Sequence, residues 1–129
     1  MFIGTSALVA IILNEPERER FLDLIVSADK KLLSAATLVA TSMVLEARLS
    51  PEAAPGPDLF LHEAGIEIIS VDAAQADRAR ISYRKFGKGH HPAGLNFGDC
   101  FAHALATISG EGVLAKGSEF SLAGLQVLS

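Results

Sequence analysis

Asp99 is the residue of this 129-residue chain whose type and position most clearly suggest chemistry. It lies in the stretch 95–106, which begins beside Asn96, a favourable helix N-cap residue. Three positions after a cap, a carboxylate can accept a hydrogen bond from the cap amide and stabilise the positive end of the helix dipole. Carboxylate oxygens are also the ligands that Mg²⁺ prefers. A capping role and a catalytic role are both open for Asp99.

The remainder of this helix is largely apolar. Its spacing, close to 3.6 residues, predicts a buried face made of Phe97, Phe101, Ala102, Leu105 and Ala106. Cys100 is the one cysteine of the chain, so it cannot form an internal disulfide. We expect it to be a small buried side chain in a cytoplasmic protein.

Length and composition favour one compact domain over residues 1–129. Half of the residues are hydrophobic, which is sufficient for one core. The formal net charge of −4 argues against a general nucleic-acid coat but permits a local basic patch. No apolar run approaches the length of a membrane span, and we expect no signal peptide.

Short apolar strands alternate with helices along the chain. We predict strands at 1–3, 31–34, 66–71, 113–115 and 125–128, and helices at 7–13, 16–27, 38–48, 58–64 and 73–86 before the Asp99 helix. Thr5 and Ser6 are expected to cap the first helix, and Thr37 the third. This alternation is typical of parallel βαβ units with helices on both faces of one sheet.

The carboxyl ends of parallel strands meet at one edge, where ligands of such folds bind. The topology therefore brings Gly4, the 34–40 region, Asp99 and the turn from Lys116 to Glu119 to the same edge. Other motifs give weaker evidence for a functional site. Adjacent His90 and His91 cannot easily share one metal ion, and neither GxxxxGK[ST] nor GxGxxG occurs in the sequence.

Four segments together resemble the PIN-domain proteins of the VapC type, the toxins of type II toxin–antitoxin pairs. They read FIGTSALVAIILNEPE, LSAATLVATSMVLEAR, FGKGHHPAGLNFGDCFAHALA and VLAKGSEF, and they follow the family's order and spacing over nearly the whole chain. The resemblance implies a three-layer α/β/α sandwich around a short parallel sheet. It also implies a homodimer, an endoribonuclease dependent on Mg²⁺ or Mn²⁺, and a small VapB antitoxin as partner.

The sequence departs from the family pattern at acidic positions. Relatives of this type carry an acid where this chain has Gly4, and another where it has Ala40. Asp99 matches the third acid, while Glu119 retains a carboxylate in the fourth region, where Ser118 does not. The resemblance thus assigns catalysis and metal binding to Asp99 and Glu119, and a supporting role to Thr5, Ser6 and Asn96.

Losing two of about four carboxylates should weaken metal binding, so we expect reduced or absent nuclease activity. Three classes of function remain: a ribonuclease toxin, a non-catalytic antitoxin-binding module, and a small α/β domain with another ligand. The substitutions are compatible with an engineered or selected mutant and with a natural degenerate copy that titrates antitoxin.

A basic cluster precedes the Asp99 helix. Arg78, Arg80, Arg84, Lys85 and Lys88 are five of the eleven basic residues of the chain. They form either a solvated helix face or, with His90 and Lys116, a track for an RNA backbone. Tyr83 and Phe86 are expected in the core, so the sequence gives little evidence for exposed aromatic side chains that could stack on bases.

Overall fold

A computed structural model describes residues 1–128. One parallel sheet of five strands lies at its centre, in the order β3-β2-β1-β4-β5. The strands are β1 (Phe2–Ile3), β2 (Leu32–Ser34), β3 (Glu67–Ile69), β4 (Val113–Leu114) and β5 (Val127–Leu128). The strand order reverses on either side of β1, which is where parallel sheets commonly leave a crevice for a ligand.

In the described part of the chain, seven α-helices connect and flank these strands. They are α1 (Thr5–Ile12), α2 (Arg18–Ser27), α3 (Ala35–Arg48), α4 (Pro57–Ala64), α5 (Ala73–Phe86), α6 (Phe97–Ser109) and α7 (Glu119–Leu122). A short 3₁₀ turn, Pro51–Ala53, occupies the proline-rich interruption after α3. Gly65 ends α4 with φ of 69°, the left-handed conformation for which glycine is suited.

The helices form two layers because alternate residues of each strand point to opposite faces of the sheet. Ile3 packs in a core with Leu8 of α1 and Phe21 of α2, to which α4 also contributes. Phe2 packs in a second core with Cys100 of α6 and Phe120 of α7, to which α5 contributes. The predicted α/β/α sandwich around a short parallel sheet is therefore confirmed.

Two of the predicted caps are wrong. Thr5 and Ser6 lie inside the first turn of α1, whose N-cap is Gly4 without a side-chain hydrogen bond. Thr37 lies inside α3, which begins earlier because Ser34 is its N-cap and accepts a hydrogen bond from Ala36 N. The Thr37 hydroxyl instead donates to the Gly98 carbonyl at 2.9 Å, a bond between helices that the sequence alone does not show.

Two aromatic residues predicted in the core are exposed. Phe97 is 64% exposed, and Tyr83 is 46% exposed. Phe97 is the first residue of α6, so the helical periodicity places it on the correct stripe, but no element of residues 1–128 covers that end of the stripe. The prediction that Cys100 is buried is confirmed.

Within residues 1–128, the helices are too short or too polar for any of them to cross a lipid bilayer.

Candidate active site

Residues from four parts of the chain, one of them α3, line one cavity at the carboxyl edge of the sheet. The cavity has a volume of about 280 Å³ and lies between the first turns of α1 and α6 and the turn after β4. Its lining includes the predicted site residues Thr5, Ser6, Asn96, Asp99, Lys116 and Glu119. The parallel topology therefore brings together side chains that are more than 100 positions apart in sequence.

Asp99 has a well-defined structural role. Its Oδ2 accepts a hydrogen bond from Asn96 N at 3.1 Å, and Asn96 Oδ1 accepts one from Asp99 N at 2.9 Å. This reciprocal pair is a capping box at the start of α6. The carboxylate has two oxygens, so capping leaves one oxygen toward the cavity, and the capping and catalytic roles are compatible.

The protein environment disfavours the charge on Asp99. The side chain is only 8% exposed, and burial raises the pKa of Asp99 to about 6. The hydrogen bond from Asn96 acts in the opposite direction, and the negative charge of Glu119 raises the pKa further. A cation near the Asp99 carboxylate would stabilise its charged form.

Gly4 occupies the end of β1 without any conformational need for glycine. Its φ of −82° and ψ of 160° are ordinary extended backbone. A Cβ there would lie 3.2 Å from the Phe120 ring and 3.3 Å from the Leu114 carbonyl. A side chain at position 4 therefore requires a small shift of Phe120.

Ala40 lies beside the turn that carries Asp99. Its Cβ is so close to Gly98 that a Cβ on Gly98 would approach it to 2.7 Å. Position 40 on α3 thus adjoins the first turn of α6, where the family pattern expects a second acid. Ser118 is exposed, precedes α7 and is not part of the cavity lining formed by residues 1–128.

The sequence does not predict the ionic network that lies at the cavity rim. Lys116 Nζ lies 3.1 Å from Glu15 Oε1 and 3.2 Å from Glu17 Oε1, and these partners raise the pKa of Lys116. Arg48 approaches Glu15 Oε2 at 3.8 Å, and Lys116 N donates to Ser6 Oγ at 2.9 Å. The sequence gives only the weak signal of two glutamates flanking Pro16, a pattern that also fits favourable charges at the start of a helix.

The predicted RNA-contacting residues separate into two locations. Arg80, Arg84 and His90 line a groove between α5 and α6, whereas Lys116 lies at the Asp99 cavity. Lys85 and Lys88 are exposed at the end of α5 and in the loop that follows it. The basic cluster is therefore exposed to solvent. Both interpretations of it, a solvated helix face and a track for an RNA backbone, require this exposure.

The acids of the cavity do not form a complete metal centre by themselves. Among residues 1–128, no group of three or more His, Cys, Asp or Glu side chains is placed to hold a metal ion. Asp99 and Glu119 nevertheless supply hard oxygen donors at one place. Mg²⁺ often binds to one or two carboxylates plus the phosphate of its substrate.

Comparisons with known proteins agree with this fold. Residues 1–124 match the model of the PIN domain. Ribonuclease VapC30 of Mycobacterium tuberculosis is 49% identical over 121 residues, covering 93% of this chain and 92% of that protein. Ribonuclease VapC of Mycolicibacterium smegmatis is 45% identical over 122 residues, covering 95% of each.

Solved structures share the architecture at lower sequence identity. VapC20 of Mycobacterium tuberculosis, described as a toxin that cleaves the sarcin–ricin loop, superposes with a TM-score of 0.76 at 20% identity, covering 96% of this chain and 95% of that chain. VapBC2 of Rickettsia felis, bound to a DNA fragment from its promoter, gives a TM-score of 0.72 at 16% identity, covering 98% and 96%. The chain belongs to the PIN-domain family, and within it to the VapC group.

Proposed function

We propose that this chain is the toxin member of a type II toxin–antitoxin pair whose endoribonuclease site is strongly weakened. The observation that carries the proposal is the set of carboxylates in the cavity lining, which are Asp99, Glu119 and Glu15. Glu15 is already paired with Lys116 and Arg48, and neither Gly4 nor Ala40 carries a side-chain oxygen. Family membership supplies the reaction class, which is hydrolysis of RNA phosphodiesters.

Asp99 and Glu119 are the residues that would hold Mg²⁺ or Mn²⁺. The burial of Asp99 and the nearby negative charge of Glu119 both disfavour the ionised Asp99 carboxylate, so a cation bound at these side chains would be favoured. When bound, such an ion lowers the pKa of an attacking water and stabilises the leaving oxygen. With two carboxylates instead of about four, we expect the ion to bind weakly and mainly together with a substrate phosphate.

The remaining residues at the cavity position these two acids. Asn96 holds the Asp99 carboxylate through the capping box. Ser6 accepts a hydrogen bond from Lys116 N and thereby fixes the turn that precedes Glu119. Thr5 is buried next to α3, where Thr41 Oγ1 donates to Thr5 Oγ1 at 3.4 Å.

The proposed partners are RNA, a VapB-like antitoxin and a second copy of the chain, in a cytoplasmic setting. For self-association, α3 offers Val39 and Met43, which are one turn apart and 56% and 64% exposed. Large apolar side chains exposed together on one helix face are characteristic of an interface. The alternative function, a non-catalytic module that binds antitoxin, would use the same surfaces without cleavage.

The test compares Mg²⁺-dependent cleavage of a mixed small-RNA pool by this chain and by variants with restored acids. Ala40→Glu, alone and with Gly4→Asp, is expected to raise the cleavage rate at least tenfold over the unchanged chain. In the control, Asp99→Asn is added to the Gly4→Asp, Ala40→Glu double variant. This triple variant should lose the activity that the double variant gains. Equal activity of the unchanged chain and the restored variant would contradict the weakened site, and cleavage by neither would contradict the catalytic assignment.

A further inference from the structure

One buried hydroxyl links α3 to the helical turn that carries Asp99. Thr37 is fully buried on α3, and its Oγ1 donates a hydrogen bond to the Gly98 carbonyl at 2.9 Å. Gly98 directly precedes Asp99, and both residues lie in the first turn of α6. The two ends of this bond are 61 positions apart in sequence, so it is a tertiary contact between two helices.

This bond differs from those that threonines usually make inside helices. A helical threonine commonly donates to the carbonyl four residues earlier in the same helix. Thr41 does so with the Thr37 carbonyl at 2.8 Å, and Thr107 does so with the His103 carbonyl at 2.7 Å. The Thr37 hydroxyl instead reaches another helix. Because its bond crosses between helices, it constrains how α6 lies on α3, which a bond within one helix cannot do.

The two helices approach each other closely at this bond. A Cβ on Gly98 would lie 2.7 Å from the Ala40 Cβ and 3.0 Å from Thr5 Oγ1. Glycine therefore permits the contact, and a larger residue at position 98 would push the first turn of α6 away from α3. The Thr37 bond holds the helices at the short separation that Gly98 allows.

One side of α3 carries the groups that meet this turn. Thr37, Ala40 and Thr41 are three or four positions apart, so their side chains lie on the same side of the helix. This side faces the first turns of α6 and α1, through the bond to Gly98 and a 3.4 Å contact between Thr41 Oγ1 and Thr5 Oγ1. Position 40 is one of those at which the family pattern has an acid. The distance between an acid there and the acid of α6 therefore depends on how α3 packs on α6.

Metal ions differ in how strictly they require such a distance. Mg²⁺ needs nearly ideal octahedral geometry with oxygens about 2.1 Å away, whereas Ca²⁺ accepts about six to eight oxygens in flexible arrangements. Removing a group that orients metal ligands through hydrogen bonds commonly weakens metal binding by about 10–100-fold. A hydroxyl that fixes the spacing of two carboxylates should therefore matter more for Mg²⁺ than for Ca²⁺.

We propose that Thr37 is a positioning residue for Asp99, because its hydroxyl holds the first turn of α6 where the Asp99 carboxylate and an acid at position 40 can bind one Mg²⁺ ion. The inference rests on the proposed function, since it concerns the same metal site. In the present chain, the bond holds Asp99 in the cavity that Glu119 also lines. Thr37 lies outside the cavity lining, so it acts through the Gly98 carbonyl and not on the ion.

The first test measures Mg²⁺ and Ca²⁺ binding by isothermal titration calorimetry in the Ala40→Glu chain, which supplies the second acid. Adding Thr37→Val removes the hydroxyl at nearly constant volume and is expected to raise the Kd for Mg²⁺ about tenfold or more. The Kd for Ca²⁺ should rise by about threefold at most. Thr37→Ser keeps a hydroxyl and should retain the Mg²⁺ affinity. Thr107→Val is the matched control, because Thr107 bonds within α6, and should change neither Kd.

The second test needs no metal. Amide hydrogen exchange is followed by NMR in the unchanged chain and in its Thr37→Val and Thr37→Ser variants. The Asp99 amide donates to Asn96 Oδ1, and the Cys100 amide donates to the Asn96 carbonyl. Thr37→Val should speed the exchange of both amides about tenfold, because it loosens this turn locally, while Thr37→Ser and the Ala104 amide further along α6 should show no change. Thr37→Ala takes the place of Thr37→Val in both tests if the valine variant does not fold.

The outcomes separate this inference from the proposed function. If Ala40→Glu binds Mg²⁺ but Thr37→Val leaves the Kd unchanged, or weakens Mg²⁺ and Ca²⁺ equally, the positioning role is overturned and the proposed metal site is unaffected. If Ala40→Glu binds no Mg²⁺, the proposed metal site fails and amide exchange decides the role of Thr37. Faster exchange confined to the first turn of α6 then supports the link to Asp99, and unchanged exchange overturns it.

Discussion

Replacing Asp99 with asparagine should stabilise the protein at neutral pH. Burial raises the pKa of Asp99 from the ordinary value of 3.8 to about 6 in the folded chain. Between these two values the folded state binds a proton more tightly than the unfolded state, so stability decreases as the pH rises through this range. The ionised carboxylate at pH 7 is therefore destabilising relative to a neutral side chain.

The size of this effect follows from the difference between the two pKa values. The difference of about 2 pH units, from 3.8 to about 6, corresponds at about 1.4 kcal/mol per unit to about 3 kcal/mol. Asparagine is neutral and nearly isosteric, and its Oδ1 can still accept the hydrogen bond from Asn96 N. We expect Asp99→Asn to raise the free energy of unfolding by about 2–3 kcal/mol at pH 7 and by little at pH 4.

Urea unfolding at pH 4, 5, 6, 7 and 8 measures the effect directly, provided that the m-value is unchanged. Asp72→Asn is the matched control, because Asp72 is also a helix N-cap, accepting a hydrogen bond from Gln75 N, but is exposed. We expect no gain of comparable size for the control. An Asp99→Asn variant that is neutral or destabilised from pH 6 to pH 8 would refute the reasoning that the buried charge is costly.

Three further predictions concern the cavity and its supports. Gly4→Asp should destabilise by about 1–3 kcal/mol because a Cβ there crowds Phe120 and the Leu114 carbonyl. Without a bound ion, Ala40→Glu should also destabilise at pH 7, because half-buried position 40 adjoins the turn of Asp99, whose charge the protein already disfavours; thermal unfolding compares the two variants. Ala40→Glu should also bind Mg²⁺ more tightly, and at ten times its Kd the ion adds about 1.4 kcal/mol of stability. Ser82→Ala should cost about 1–3 kcal/mol, because the Ser82 hydroxyl lies 2.7 Å from the buried His103 Nδ1.

Each of these predictions has a contradicting result. A fully stable Gly4→Asp would show that Phe120 moves freely. If Mg²⁺ raises the unfolding temperature of the unchanged chain and of Ala40→Glu by the same amount, the side chain at position 40 does not contact the ion. A neutral Ser82→Ala would show that water replaces the hydroxyl beside His103, and Ser121→Ala, an exposed serine, provides the comparison.

Local chemistry made several elements predictable from the sequence. Asn96 and Asp99 form the capping box because both partners are within one helical turn. The bounds of α5 and the glycine at the end of α4 follow from equally local signals. The parallel sheet follows from the alternation of strands and helices, which leaves few topologies open.

Contacts between distant segments were not predictable from the sequence. Lys116 meets Glu15 and Glu17 across about 100 positions, and nothing in either segment specifies the other. The periodicity of α6 placed Phe97 on the apolar stripe, but only packing decides which part of a stripe is covered.

The sequence by itself determined which residues carry charge, that Asn96 and Asp99 form the capping box of α6, and where two acids of the family pattern are missing. The tertiary structure decided that Asp99 and Glu119 share one cavity, because parallel strands end at the same edge. It also decided the raised pKa of Asp99, since desolvation depends on the neighbours that folding brings. The exposure of Phe97 and Tyr83 beside basic side chains was decided in the same way, by which surfaces the other helices leave uncovered.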